Sequence, residues 1–257
     1  MPDSEITHEQ ERAQPWLAAS GLVAGYRPGI DILRGVSIAA MRGQVRCVLG
    51  PNGTGKSTLL KVLSGFLPTR QGEIRFDGRA QSLAPHEMGE HDVVYLPQRP
   101  SIFPHLSVEV NLRLGAWRYK RERRRVDGLV QQAFEQFPIL GEKHQQAAGT
   151  LSGGQQRQLE IARSLMHDPV LFLIDEPTAG IEPRVAAQIY ELIKGLATQN
   201  KAVFLVDQNI KRALEIADYV YVMRTGTVLS EGSRDSFGGD TEALVARWLY
   251  ASGEIGR

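Results

Sequence analysis

The sequence predicts an α/β fold built on a mainly parallel sheet, on three observations. Short apolar runs bounded by turn residues recur along its 257 residues, several of these runs are continuous rather than alternating, and helical patterns lie between them. Continuous runs are how strands covered on both faces read, and strand–helix alternation is how parallel strands are joined.

Taken in order, residues 1–14 are polar and predict a flexible N-terminal extension ahead of a single domain at 15–240. "LAASGLVAGYRPGIDILRGVSIAAMRGQ" (17–44) and "GEIRFDGRA" (72–80) predict short strands with tight turns, a small antiparallel β subdomain beside the parallel sheet. The parallel strands are expected in "QVRCVLG" (44–50), "DVVYLPQ" (92–98), "VLFLIDE" (170–176), "AVFLVDQ" (202–208) and "YVYVMRTG" (219–226). Helical spacing marks "KSTLLKVLSGF" (56–66), "QLEIARSLM" (158–166) and "PRVAAQIYELIKGLA" (183–197), where Pro183 suits a first helical turn. Residues of about 99–166 hold no clear strand and predict an inserted helical subdomain; within it the basic "RYKRERRR" (118–125) reads as a solvated helix face rather than a phosphate or lipid contact. Residues 241–257 predict a C-terminal helix and tail, with no room for a separate regulatory domain.

Composition narrows the functional classes. Lys+Arg minus Asp+Glu is 30 − 29 = +1, so no large charge imbalance draws the chain toward nucleic acid or an anionic lipid surface. The single cysteine, Cys47, excludes a disulfide within the chain and reads as a small core residue. No run approaches the length of a membrane span and the start lacks the regions of a signal peptide, so a soluble intracellular protein is expected, reaching a membrane only through a partner.

Three motifs carry chemistry. "GPNGTGKST" (50–58) fits G-x-x-x-x-G-K-[ST] directly after one strand and before one helix. Gly50, Gly53 and Gly55 let successive backbone N–H groups face an anion at the helix's positive end. Pro51, Asn52, Thr54 and Thr58 complete the loop, Lys56 would reach the β- and γ-phosphates of a nucleotide, and the Ser57 hydroxyl would ligate Mg²⁺. "LFLIDEP" (171–177) ends a strand in two carboxylates, which alternation sends to opposite sides. Asp175 fits the Mg²⁺-side carboxylate, and Glu176 could polarise an attacking water. "LSGGQQRQLEIARSL" (151–165) opens a helix with Ser152, Gly153, Gly154 and Gln155, a second anion site in a chain that already has a phosphate loop, and one that would serve another copy's nucleotide.

With its unsubstituted "LSGGQ", the chain resembles the ATP-binding cassette (ABC) family over roughly residues 17–235, with the motifs in family order. The resemblance implies a P-loop NTPase fold and an ATPase in which two cassettes pack head to tail around two ATP, each between one phosphate loop and the opposite signature. It implies that Tyr26 stacks on adenine, although an isolated "GYR" reads as a half-buried strand tyrosine. Gln98 in "YLPQRP" would contact Mg²⁺ and the attacking water, and "TAGIEP" (178–183) would cross to the partner cassette, with Glu182 where the family usually has aspartate. In "VFLVDQNI" (203–210), Gln208 stands where most members carry a histidine touching the γ-phosphate; an amide can donate there but cannot carry a proton between pH 5 and 8.

The glutamine, with "GVSI", "IFPHLSVEVNLRLGA" and "LEIARSLM", is most similar to cassettes of branched-chain amino acid and urea importers, which often carry glutamate where Gln98 stands. Lipopolysaccharide-transport cassettes share an "EPTAGIEP"-like segment but normally keep the histidine. The ribosome- and DNA-acting members of the family carry two cassettes or a long coiled coil, and neither is in this sequence. The resemblance therefore implies membrane permease subunits as partners, an extracytoplasmic solute-binding protein reached through them, no nucleic acid, and a place on the cytoplasmic face of the cell membrane. Phe103 and Leu106 in "SIFPHLSVEVNL" (101–112) are expected either to line the groove that receives a permease helix or to belong to the subdomain core.

Overall fold

Residues 14–237 are described in this computed structural model; most of the N-terminal extension and the expected 241–257 helix lie outside the described residues. The chain runs through β1 (Leu17–Ala24), β2 (Leu33–Ala40), β3 (Val45–Leu49), α1 (Lys56–Leu63), β4 (Gln71–Phe76), β5 (Arg79–Ala80) and β6 (Val93–Leu96). It continues through α2 (Val108–Gly115), α3 (Arg123–Gln136), α4 (Pro138–Glu142) and α5 (Gly153–Leu165) to β7 (Leu171–Asp175). The last third holds α6 (Pro183–Thr198), β8 (Ala202–Asp207), α7 (Ile210–Ile216), β9 (Tyr219–Arg224) and β10 (Thr227–Ser233).

Two sheets form. The antiparallel one has the order β2-β1-β4-β5, and the larger one β10-β9-β3-β8-β7-β6, in which β9, β3, β8, β7 and β6 are mutually parallel. Every residue of β7 and β8 is buried, which is the physical content of their unbroken apolar runs. Alternation splits those side chains between two cores. Cys47, Phe172, Ile174, Val203 and Leu205 pack toward α6, α7 and the helical segment, while Val48, Leu173, Phe204 and Val206 pack toward α1 and the antiparallel sheet.

One strand escaped the sequence pattern. β10 pairs antiparallel with β9 at the sheet edge, and its residues are exposed or half-buried throughout, so no apolar run marks it. The hairpin turn Thr225–Gly226 has positive φ at both residues, the geometry of a tight two-residue β-turn.

Between β6 and β7 the chain is helical, and polar side chains hold its entry loop. Asn111, buried on α2, accepts from Phe103 N (2.9 Å) and donates to the carbonyls of Phe103, Leu106 and Ser107. Ser107 caps α2 by accepting from Val110 N. The basic run lies at the surface: Arg118 pairs with Asp92, Arg125 pairs with Glu122 and stacks on Tyr119, and Lys120 lies over Trp117. No helix among the described residues is long and apolar enough to cross a membrane.

Candidate nucleotide site

Strand direction builds the site. Parallel strands place their C-terminal ends on one side of the sheet, where open α/β folds bind ligands. Here β3, β7 and β8 lie side by side, with Leu49 opposite Asp207 and Asp175 opposite Val206.

From the end of β3, the loop 50–55 turns into α1. Gly53 and Gly55 have φ of 80° and 103°, which side chains rarely adopt, and a Cβ on Gly50 would sit 2.4 Å from the Met223 carbonyl oxygen. Thr54 Oγ1 closes the turn by donating to Pro51 O (2.9 Å), whereas Asn52 and Gly53 are exposed at its tip. Lys56 is only 4% exposed, and its ammonium donates to the carbonyls of Gly50 (2.7 Å) and Pro51 (3.0 Å). Burial pushes its pKa down, while Glu176, Asp175 and Asp207 oppose the shift.

The two carboxylates do not obey simple alternation. β7 ends at Asp175, and Glu176 takes φ = 40°, so the backbone turns and both acids approach the lysine. Their partners still differ. Asp175 accepts from Ser57 Oγ (3.2 Å); Glu176 places Oε1 3.9 Å from Lys56 Nζ and accepts from Gln98 Nε2 through Oε2 (2.8 Å). A glutamate at positive φ is costly and persists where its surroundings fix it. Burial raises the pKa of each carboxyl; for Glu176 the nearby Lys56 opposes this, and Asp175 and Asp207 add to it.

Gln98 is held from behind by two residues the sequence reading passed over. Arg157, buried on α5, donates to the carbonyls of Pro97 and Gln98 and pairs with Glu160, which accepts from Ser101 N (2.6 Å). A signal was available, because Arg157 occupies the buried stripe that Gly154, Ile161 and Ser164 share at helical spacing. Gln208 is exposed immediately after β8, next to the site. Tyr26 lies beyond β1 and is 56% exposed, not a half-buried strand residue; its hydroxyl is 3.4 Å from Thr58 Oγ1, and the Lys61 ammonium is 5.3 Å from its ring.

The signature residues stand apart. Ser152 caps α5 in a reciprocal box with Gln155, each accepting from the other's backbone N–H, and Lys143 donates to Gln155 Oε1. Gly154 is required for packing, since a Cβ there would lie 2.4 Å from Val185 Cγ1. Ser152 and Gly153 are exposed, and their partners are within this region rather than in the phosphate loop. Glu182 is exposed at the N-cap of α6 and makes no capping bond.

A nucleoside triphosphate fits this arrangement. A Cβ on Gly53 would meet nothing within 4 Å, so the loop's surface is open, and a nearly buried ammonium stands behind it. The Ser57 hydroxyl and the Asp175 carboxylate, 3.2 Å apart, are oxygen groups of the kind that could hold a Mg²⁺, and Gln98 carries a further one.

Residues 33–179 match the sequence profile of the ABC transporter family. The chain belongs to that family. It is an ATP-binding, ATP-hydrolysing cassette with the P-loop NTPase fold. It is 36% identical over 208 residues to the high-affinity branched-chain amino acid transport ATP-binding protein BraG of Pseudomonas aeruginosa, covering 80% of this chain and 88% of that protein. Over 233 residues it is 30% identical to the lipopolysaccharide export ATP-binding protein LptB of Haemophilus influenzae, covering 88% of this chain and 94% of that protein. Among solved structures, a nucleotide-free ATP-binding cassette from an ABC transporter superposes with a TM-score of 0.79 at 27% identity, covering 95% of this chain and all of that one. A cassette in its ADP conformation gives 0.76 at 28% identity, covering 94% and 97%.

The Arg157–Glu160 pair generates a prediction. Arg157→Met takes the cation away from the buried Glu160 carboxylate, which keeps only the Ser101 N–H, and leaves two carbonyls unpaired; it should lower stability by about 3–5 kcal/mol in urea denaturation, whereas adding Glu160→Leu should recover part of the loss. Equal stability of the single variant and the parent would contradict this.

Proposed function

We propose that the cassette hydrolyses MgATP at a composite site completed by a second cassette, and that this drives a membrane permease importing branched-chain amino acids, urea or related small solutes. The observation that carries the two-copy reading is the signature end of α5, which is capped, exposed and bonded away from its own phosphate loop. Such a helix terminus favours an anion, and a second copy's nucleotide would supply one. The importer reading rests on Gln208 and on the likeness to BraG; the likeness to LptB keeps a lipopolysaccharide-export cassette as the second reading.

In this reading the loop amides and Lys56 hold the β- and γ-phosphates, with the ammonium exchanging the Gly50 and Pro51 carbonyls for phosphate oxygens. Ser57, Gln98 and Asp175 would hold a Mg²⁺, which would supply positive charge against the phosphates. Glu176, oriented by Gln98, accepts a hydrogen bond from the attacking water and polarises it. Gln208 donates its amide to the γ-phosphate as a fixed uncharged group, and Tyr26 offers its exposed ring to adenine. Ser152, Gly153, Gly154 and Gln155 close the opposite copy's site, and residues 178–183 meet the partner.

Permease docking is supported by exposed apolar residues around the helical segment. Phe103 is 48% exposed, Leu106 38% and Phe66 59%, and Phe66 lines a cleft of about 880 Å³ together with Tyr95, Ser101 and Arg163. The Arg163 guanidinium sits 5.3 Å from the Phe103 ring. Exposure at both positions favours the groove over the core reading. A cassette working this way sits on the cytoplasmic face of the membrane, with a solute-binding protein on the other side of the permease.

Glu176→Gln should keep ATP binding but slow hydrolysis by roughly 10²–10⁴-fold. ATP should then hold two copies together in size-exclusion chromatography. Because burial raises the Glu176 pKa, its carboxylate is lost as pH falls through a value above the ordinary glutamate range, and the acid limb of the parent's rate profile should lie there. Parent-rate hydrolysis by the variant would refute the role of Glu176. Phe103→Glu should prevent co-purification with the permease while the isolated cassette still binds ATP; loss of folding in the isolated protein would instead place Phe103 in the core.

A further inference from the structure

Tyr190 on α6 carries more chemistry than its place in the core needs. Its side chain is 3% exposed and packs with Ile189 and Ile193 against the sheet, a position whose volume phenylalanine would fill. Yet its hydroxyl is engaged twice: it donates to Asp207 Oδ2 (2.7 Å) and accepts from Thr178 Oγ1 (3.1 Å).

Both partners border the proposed reaction site. Thr178 opens the 178–183 loop and follows Glu176 by two residues, while the Ile181 N–H closes back on the Thr178 carbonyl (3.1 Å). Asp207, the last residue of β8, accepts through Oδ1 from the backbone N–H groups of Gln208 (2.8 Å) and Asn209 (2.9 Å). Asn209 in turn caps α7 by accepting from Arg212 N. The Asp207 carboxylate therefore shapes the turn that presents Gln208. Burial pushes its pKa up, and the Asn209, Tyr190 and Gln208 donors oppose that shift.

One buried hydroxyl thus links two loops that are 30 residues apart in sequence, from Thr178 to Gln208. Hydrogen bonds to a buried carboxylate are among the stronger ones, and each fixes a direction as well as a distance. A rigid phenol on a packed helix transmits displacement of either end to the other.

We propose that Tyr190 is a positioning residue for ATP hydrolysis: its hydroxyl ties the loop that meets the second cassette to the turn that carries Gln208, so that seating of the loop sets the place of the Gln208 amide. This rests on the proposed roles of residues 178–183 and Gln208. Tyr190 does not touch the nucleotide; it acts through Asp207.

The test is steady-state ATPase kinetics of single and double variants, with MgATP binding measured separately. Tyr190→Phe and Thr178→Val should each lower kcat by on the order of tenfold, with KM and nucleotide affinity within about twofold of the parent. Thr178→Ser, which keeps the hydroxyl, should retain the parent rate. In a Gln208→Ala background, itself slow, Tyr190→Phe should lower kcat no further, because the tie then has nothing to place. A parent-like kcat for Tyr190→Phe, or an equal further loss in the Gln208→Ala background, would overturn the inference. Should Tyr190→Phe fail to fold, Thr178→Val against Thr178→Ser decides at a half-buried position. Parent-rate hydrolysis by Gln208→Ala would instead remove the role given to Gln208, and the inference with it.

Discussion

A single buried ammonium organises this end of the molecule. Lys56 is nearly enclosed, and three acids from two adjacent strand ends, Asp175, Glu176 and Asp207, surround it. Buried carboxylates are tolerated only when paired or hydrogen-bonded, so the cation and the local donors make the cluster possible. Each acid also has a neutral partner: Ser57 for Asp175, Gln98 for Glu176, and Tyr190 with two backbone amides for Asp207. The parallel sheet supplies the geometry, since strands running the same way must end together. In the proposed site a triphosphate would meet an ammonium already oriented by the Gly50 and Pro51 carbonyls, and its oxygens would take their place.

The helical segment is connected to that cluster through polar contacts. Arg157 and Glu160 fasten the chain at Pro97, Gln98 and Ser101, and Gln98 reaches Glu176. Movement of the helical segment must therefore be felt at the Glu176 carboxylate. Ser152 caps the same helix that carries Arg157, so the proposed contact with a second cassette and the residue that holds Gln98 are less than about two helical turns apart on one rod.

Much of the fold was legible because burial on both faces leaves a continuous apolar run, as in β7 and β8. β10 was not legible, because an exposed edge strand has no such requirement; only the turn at Thr225–Gly226 betrays it. The phosphate loop and the signature could be read because glycine at fixed spacing has a conformational meaning, here positive φ at Gly53 and Gly55 and close packing at Gly154. Alternation misplaced Glu176, since a positive φ cannot be seen in an i, i+2 pattern. Arg157, Glu160, Tyr190 and Asp207 were passed over for one reason: a buried polar group has meaning only with its partners, and those lie far away in sequence.

The most direct measurement is an equilibrium titration of MgATP into Lys56→Met protein, beside the parent, by calorimetry. Loss of a buried charge-assisted contact to phosphate should weaken binding by about 10- to 100-fold. Unchanged affinity would mean that the nucleotide is not held against the Lys56 ammonium, and would contradict the placement of the reaction at the ends of β3, β7 and β8.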